Sequence, residues 1–169
     1  MIEFKLKDRR LRLIDGVFYV RAISRLGIET INERWREISF YNSHEHLQCG
    51  LTCDRVNRRL FQHRMVWYAH HQEWDIWDNS TDNQIDHKNN IRTDNRLCNL
   101  RKATNAENAQ NREAAGVGQM KGSKKWRARI MIDYKEKHIG TYDTEEEARE
   151  AYLAEKRILH PYFVENEEI

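Results

Sequence analysis

Gln84-Ile85-Asp86-His87-Lys88-Asn89-Asn90 opens the stretch that organises this chain. It continues through Asp94-Asn95-Arg96-Leu97-Cys98-Asn99-Leu100-Arg101 to Thr104-Asn105-Ala106-Glu107-Asn108-Ala109-Gln110-Asn111. An adjacent Asp-His pair follows an apolar residue. A dense set of asparagines then sits at spacings that no amphipathic pattern requires. Gln84-Ile85 reads as a short strand running into Asp86-His87. Residues 88–95 read as an Asn-rich loop that continues through 96–100, and residues 101–112 as a helix. Taken alone, the asparagines are also good turn formers, because Asn tolerates the left-handed backbone and caps locally. A lone Asp-His pair is equally readable as a cap or a satisfied loop histidine.

The donor types allow a sharper reading. The Asp86 carboxylate and the Asn108 amide oxygen are hard ligands, suited to Mg²⁺ or Mn²⁺. Phosphate oxygens and water would fill the other coordination positions. Side chains alternate along a strand, so His87 points away from Asp86. It can stand near a metal without ligating it. A neutral imidazole there can take a proton from water, while the metal stabilises charge on a phosphate and its leaving oxygen. These are the parts of a single-metal nuclease.

Working outward, 169 residues suit one domain or two small ones. The chain is 39% apolar and 33% charged, so small modules with thin cores are expected. Net charge is +2, but its distribution is uneven. Residues 110–140 hold eight Lys/Arg against three Asp/Glu, and residues 141–169 hold three against nine. A basic stretch beside an acidic helix is either a nucleic-acid footprint or a solvated surface. Three cysteines, Cys49, Cys53 and Cys98, with no secretory h-region after Met1, suggest reduced thiols and a cytoplasmic protein. No apolar run reaches the roughly 18 residues of a membrane span.

Upstream, residues 4–23 alternate apolar and polar around Asp15-Gly16, which predicts a β-hairpin. Residues 24–37 read as a weak helical or loop segment. Ile38-Ser39-Phe40, Leu47 to Thr52 and Arg59-Leu60-Phe61 read as strands, with a turn over 54–57. Residues 63–73 carry helical spacing, with Met65, Val66 and Ala69 on one face. Residues 74–83 read as a loop. Downstream, a composition break falls at 113–122. Trp126 to Ile132 alternates with period two, Asp133 to Glu136 turns, and Lys137 to Tyr142 returns. Thr144-Glu145-Glu146-Glu147 is a capping box for a helix over 145–159, which Pro161 stops.

At these residues two family resemblances enter. Asp86-His87-Lys88-Asn89, Asp94-Asn95, Asn99-Leu100-Arg101, Thr104 and Asn108-x-x-Asn111 resemble the HNH motif of phage homing endonucleases. Gln62-His63-Arg64-Met65-Val66 resembles the segment that often precedes that motif. Asn99 lies twelve residues after His87, and Asn108 nine beyond that, as the family spacing requires. The resemblance implies a ββα-metal fold with His87 as general base. Asp86 and Asn108 are the implied ligands of one Mg²⁺ or Mn²⁺ ion, and Asn99 the structural residue that pins the loop. Asn108 stands where the broad family often has His, a variant found in the phage group. Asn95 and Asn111 read as loop and helix-end hydrogen bonders.

Gly116-Val117, Lys125 to Ile130, His138 to Tyr142 and Thr144 to Tyr152 resemble an AP2 DNA-binding domain. That implies a three-stranded antiparallel sheet on one helix, with the sheet laid in a DNA groove. Alternation then turns Ala128, Ile130 and Ile132 to the helix. Arg127, Arg129, Met131 and His138 face outward, where Arg reads guanine or phosphate. Lys124, Lys125, Lys135 and Lys137 would contact phosphate. Met131 and His138 depart from the plant pattern, so base preference does not transfer.

His44, His46, Cys49 and Cys53 do not form a regular zinc-finger spacing, and the cysteines read as buried small residues, so zinc is not expected. Trp35, Trp67, Trp74 and Trp77 read as core or loop anchors. The whole reads as an α+β, modular chain. It has a β-rich region over 1–50 with DNA contact among its open roles, an HNH nuclease over 51–112, an AP2-like domain over 113–162 and an acidic tail over 163–169. The expected activity is site-specific hydrolysis of double-stranded DNA, leaving 5′-phosphate and 3′-hydroxyl ends. A monomer with one active site nicks one strand. A DNA-binding regulator with a non-catalytic HNH scaffold, and a general HNH nuclease, stand as alternatives.

Overall fold

Asp15 and Gly16 both adopt positive φ, 48° and 82°. That is the turn an Asp-Gly pair favours, because its twist matches the flanking strands. The computed structural model, which describes residues 1–22, 34–112, 116–132 and 135–165, builds a larger sheet around it. Strands β1 (Ile2–Leu6), β2 (Arg9–Ile14), β3 (Val17–Arg21) and β4 (Trp35–Glu37) pair antiparallel in that order. The expected hairpin is therefore part of four strands. The extra turn falls at Lys7, whose φ is 56° without a glycine to signal it. Of the segment read as helix or loop over 24–37, residues 24–33 lie outside the described residues, and Trp35–Glu37 is strand.

Ile38-Ser39-Phe40 is not a strand. The Ile38 amide donates to the Phe18 carbonyl at 2.8 Å, and Ile38 is buried. Three further strands come next: β5 (Tyr41–Ser43), β6 (His46–Cys53) and β7 (Val56–Phe61), again antiparallel. The turn between β6 and β7 is tighter than expected. Only Asp54 and Arg55 form it, at φ 49° and 63°. Helix α1 (Gln62–His70) starts directly after β7.

Alternation gives each sheet one apolar face. Phe4, Leu6, Leu11, Leu13, Phe18 and Val20 from the first sheet join Cys49, Leu51, Cys53 and Leu60 from the second. Met65, Val66 and Ala69 of α1 complete this core. Each such large side chain contributes about 1.5–3 kcal/mol by leaving water.

Beyond α1, the connection over 74–83 has no regular structure, yet Trp74 and Ile76 are buried. Arg64 explains how. Its guanidinium donates to the carbonyls of Asn83 (3.2 Å), Ile76 (2.9 Å) and Asp78 (2.7 Å) and lies 4.5 Å from the Trp74 ring. Asn83 fastens the same connection through Asp75 O and Asp78 O. That clamp delivers the chain into β8 (Gln84–His87). A 3₁₀ turn over Leu97–Asn99 leads to β9 (Leu100–Ala103), antiparallel to β8, and then to α2 (Asn105–Asn111). The helix expected over 101–112 thus starts later. Pairing with β8 sets Arg101 opposite Asp86 and overrides local helical preference.

Contacts divide the chain into two compact units, Met1–Thr104 and Asn105–Ile169. The divisions expected near residues 50 and 112 are not where the contacts separate. The sheet of residues 2–37 shares one core with residues 47–100. At the other boundary, α2 belongs to the second unit. In that unit, β10 (Val117–Gln119), β11 (Trp126–Ile132) and β12 (Lys135–Tyr142) form an antiparallel sheet. Helix α3 (Glu145–Leu159) packs on it through Ala128, Ile130, Ala148 and Tyr152. Its capping box forms as the sequence predicts: Thr144 accepts from the Glu147 amide, and Glu147 accepts from the Thr144 amide. Lys135 and Glu136, expected in a turn, belong to β12, and residues 133–134 lie outside the described residues. Gly116 is required by packing, since a Cβ there would lie 2.0 Å from the Tyr152 ring.

Lys156 of α3 is 2% exposed and donates to the Arg112 carbonyl at 2.7 Å. The start of the expected tail turns back on α2. Val164 N donates to Asn111 Oδ1 and Tyr162 N to Gln110 Oε1. The architecture is mixed α+β, with antiparallel sheets and three α-helices among the described residues. Among those residues no helix is long and apolar enough to cross a membrane.

Replacing Arg64 by Ala strands three carbonyls it now satisfies. The expected cost is about 3 kcal/mol in urea unfolding, and Arg64→Lys recovers only part of it, because an ammonium cannot reproduce the planar fork. A loss below about 1 kcal/mol would show that the clamp does not hold the connection.

Candidate functional site

β8 presents Asp86 and His87 as neighbours on opposite sides of one strand. Both are buried, at 4% and 5% exposure. Asp86 Oδ2 accepts a hydrogen bond from Arg101 Nε at 2.8 Å and forms an ion pair with Arg101 Nη2 at 2.7 Å. Burying a carboxylate without such a partner is costly. Across the strand, His87 Nε2 lies 2.8 Å from Asn95 Oδ1, while Asn95 Nδ2 donates to Gln62 Oε1 at 2.8 Å. Asn95 thereby joins the His87 ring to Gln62.

The loop between β8 and β9 is held by Asn99. Its Oδ1 accepts from the Asn89 amide (3.1 Å), its Nδ2 donates to Asp94 O (2.8 Å), and its carbonyl accepts from Lys88 N (2.8 Å). Asn99 thus bonds to both ends of this loop. Asp94 adds a second fastening. It accepts from Arg96 and from Asn89 Nδ2, and the Arg96 hydrogen bond, chiefly, brings its carboxyl down to about 2.

Two histidines gather on His87. The ring of His63 lies 5.1 Å from that of His87 and 5.2 Å from that of His46, and His46 is 6.0 Å from His87. Phe61 stacks on His63 at 5.5 Å and 21°. Burial, first, and then the His87 and His46 rings hold His63 neutral, well below its ordinary range. Burial also lowers His46, with Arg92 and His87 adding to it and Glu45 opposing. Nδ1 of both His46 and His63 is buried without a hydrogen-bond partner among the described residues.

Asn108 lies half-buried on α2, in the second unit. Among the described residues no three of His, Cys, Asp or Glu are arranged to hold a metal ion. The oxygen donors themselves suit a hard divalent ion, and an ion at Asp86 would share that carboxylate with Arg101. The cysteines do not suit zinc with His46. Cys49 and Cys53 face the core from β6, while His46 lies on the strand's other face. Burial raises both thiols to about 11.

In the second unit, the helix-facing and outward residues of β11 divide as alternation predicts. Ala128 and Ile130 are buried, while Arg127, Arg129 and Met131 are exposed. His138 pairs with Arg129 and so shares its face. A register shift between Ala128 and Arg129 lets β12 reach that pairing. Lys135 and Lys137 are the exceptions. They pair with Ile132 and Ile130, which puts them on the helix side, and Lys137 Nζ donates to Glu155 at 2.9 Å. Lys125 pairs with Asp143 at 3.0 Å and Arg129 with Glu136 at 2.7 Å. Lys124 is exposed outside the strands.

Three residues inside the quoted motif segments touch the site through partners that the sequence does not report. Asn95 holds His87, Arg101 holds Asp86, and His63 packs on the His87 ring. His63 stands in a segment that the HNH resemblance already singles out, but nothing in its spacing from His87 reports that the two rings meet. Comparisons with protein-family models, curated proteins and solved structures return no match for this chain.

A histidine kept neutral by burial costs stability in acid. The unfolded chain protonates below its ordinary pKa of about 6.5 and the folded chain does not, so stability falls as pH drops. Each such histidine contributes a slope of about 1.4 kcal/mol per pH unit. His63→Phe should remove about one such slope below pH 6.5 in urea titrations at stepped pH. An unchanged slope would mean that His63 is protonated in the fold.

Proposed function

We propose that this chain is a metal-dependent DNA endonuclease of the HNH homing type, with a separate β-sheet face for DNA. The observation that supports it most is the setting of His87: a buried imidazole, its Nε2 fixed by Asn95, on a loop fastened by Asn99, one residue from Asp86. His87 would take the proton of the attacking water. Asn95 holds the ring and Asn99 keeps the loop in place. Asp86 would hold one Mg²⁺ or Mn²⁺ ion, which when bound offsets charge on the phosphate and leaving oxygen. Arg127, Arg129, Met131 and His138, flanked by Lys124 and Lys125, form the DNA face. Lys135 and Lys137 serve the sheet's other side. As a monomer the enzyme nicks one strand.

One observation favours a second reading, a DNA-binding regulator on an inactive nuclease scaffold. Asp86 already has a buried partner in Arg101.

The test is nicking of supercoiled plasmid that carries DNA flanking the gene, with Mg²⁺. The wild type should nick it, and His87→Ala should slow nicking by about 10²–10⁴-fold, the usual worth of a general base. No nicking by the wild type, or equal nicking by His87→Ala, refutes the assignment. Equal cutting of unrelated plasmid would indicate a general nuclease.

Binding is tested apart. Arg127→Ala with Arg129→Ala should weaken duplex binding and lower the log–log salt slope by about 1.8, two phosphate contacts' worth. Unchanged binding would remove this sheet from the interface.

A further inference from the structure

The first sheet's inner face is occupied by the core. Its outer face is not apolar, and the register gives its residues. Lys5 pairs with Arg10. Glu3 pairs with Arg12, Arg12 with Tyr19, and Tyr19 with Glu37. Arg21 pairs with Trp35. Paired residues share a face, so Lys5, Arg10, Arg12 and Arg21 stand together with Tyr19 and Trp35 among them. Among the described residues of these four strands, Glu3 and Glu37 are the two carboxylates on the same face.

Arg12 is pre-arranged. Its guanidinium lies 4.0 Å from the Trp35 ring centroid, and its Nε donates to Glu3 at 3.0 Å. Stacking on an aromatic ring leaves the edges of the guanidinium to offer hydrogen bonds. A surface meant only for solubility intersperses the two signs. Here four cations outnumber two carboxylates on one sheet face that also carries two aromatic rings, a combination that suits a phosphate backbone.

The geometry points to the outer face of β1–β4 as a second nucleic-acid interface, occupied by the phosphate backbone of duplex DNA. This rests on the endonuclease reading for its partner and adds a surface to it. The face would position the substrate without reading bases, because cations paired with phosphate carry no sequence information.

The test uses the full chain and a mixed-sequence duplex of about 40 base pairs, followed by fluorescence anisotropy across salt concentrations. Lys5→Gln with Arg10→Gln removes two exposed charges from the face. The log–log salt slope should fall by about 1.8, and affinity near 0.1 M salt by at least about tenfold. The control is Arg36→Gln with Arg55→Gln, which makes the same charge change off the face. Arg36 pairs with Val20, a core-facing residue, and Arg55 sits in the β6–β7 turn. It should bind like the wild type. An unchanged Lys5/Arg10 variant overturns the proposal, and so does an equal loss in the control, which would reflect net charge alone. Plasmid nicking in the same preparations keeps the two readings apart. A wild type that nicks, with an unaltered Lys5/Arg10 variant, removes this face and leaves the nuclease. A wild type that does not nick, with weakened binding in the variant, removes the nuclease and leaves the face.

Discussion

The pairing of β8 with β9 is the constraint on which the candidate site depends. Four residues face four: Gln84 with Ala103, Ile85 with Lys102, Asp86 with Arg101 and His87 with Leu100. That register sets a guanidinium against the Asp86 carboxylate. It also brings the returning chain close enough for Asn99 to close the loop, and the closed loop carries Asn95 to His87. A slip of one residue would turn Arg101 to the other face and leave Asp86 buried without its partner, a cost of about 3–5 kcal/mol. The site's geometry is thus secured by the energetics of a buried charge.

The same logic recurs through the first unit. Its apolar core is modest, and many buried groups are polar: Arg64, Asn83, Asp86, His87 and Asn99. Most buried polar groups in proteins are hydrogen-bonded. Each of these is, and several of the bonds fasten irregular chain. Arg64 ties down 74–83, and Asn99 ties down 88–94. Irregular chain is held here by side chains that substitute for missing backbone partners.

The sequence made local features legible and left long-range ones hidden. Asp15-Gly16, the alternation of Trp126 to Ile132 and the Thr144–Glu147 capping box act within a few residues, and each appears in the fold where the residues place it. Leu100–Ala103 was hidden because its strand state comes from Asp86 and the β8 backbone, fifteen or so residues away. Lys137 was hidden for a different reason. Its composition matches a phosphate contact, but its register opposite Ile130 sends it to the helix side. For the site, motif spacing pointed to Asp86, His87, Asn99 and Asn108. It did not point to the imidazoles of His46 and His63, which reach His87 only through the β6–β7 sheet and α1.

In two sheets an acidic residue holds a partly exposed arginine: Glu3 holds Arg12, and Glu136 holds Arg129. Both pairs are partly exposed, so each contributes only about 0.2–1 kcal/mol. That is enough to order a long side chain and too little to compete with a phosphate approaching in a strong field. The carboxylate therefore sets the guanidinium's direction without blocking it. It also raises the threshold for weak, unspecific anions, which must displace a bound partner before they gain a contact. Such pairs let a basic face stay soluble and ordered while free, and they explain why the chain's net charge of +2 understates its basic surfaces. Charge on a sheet is local, and here the strand register decides where it is displayed.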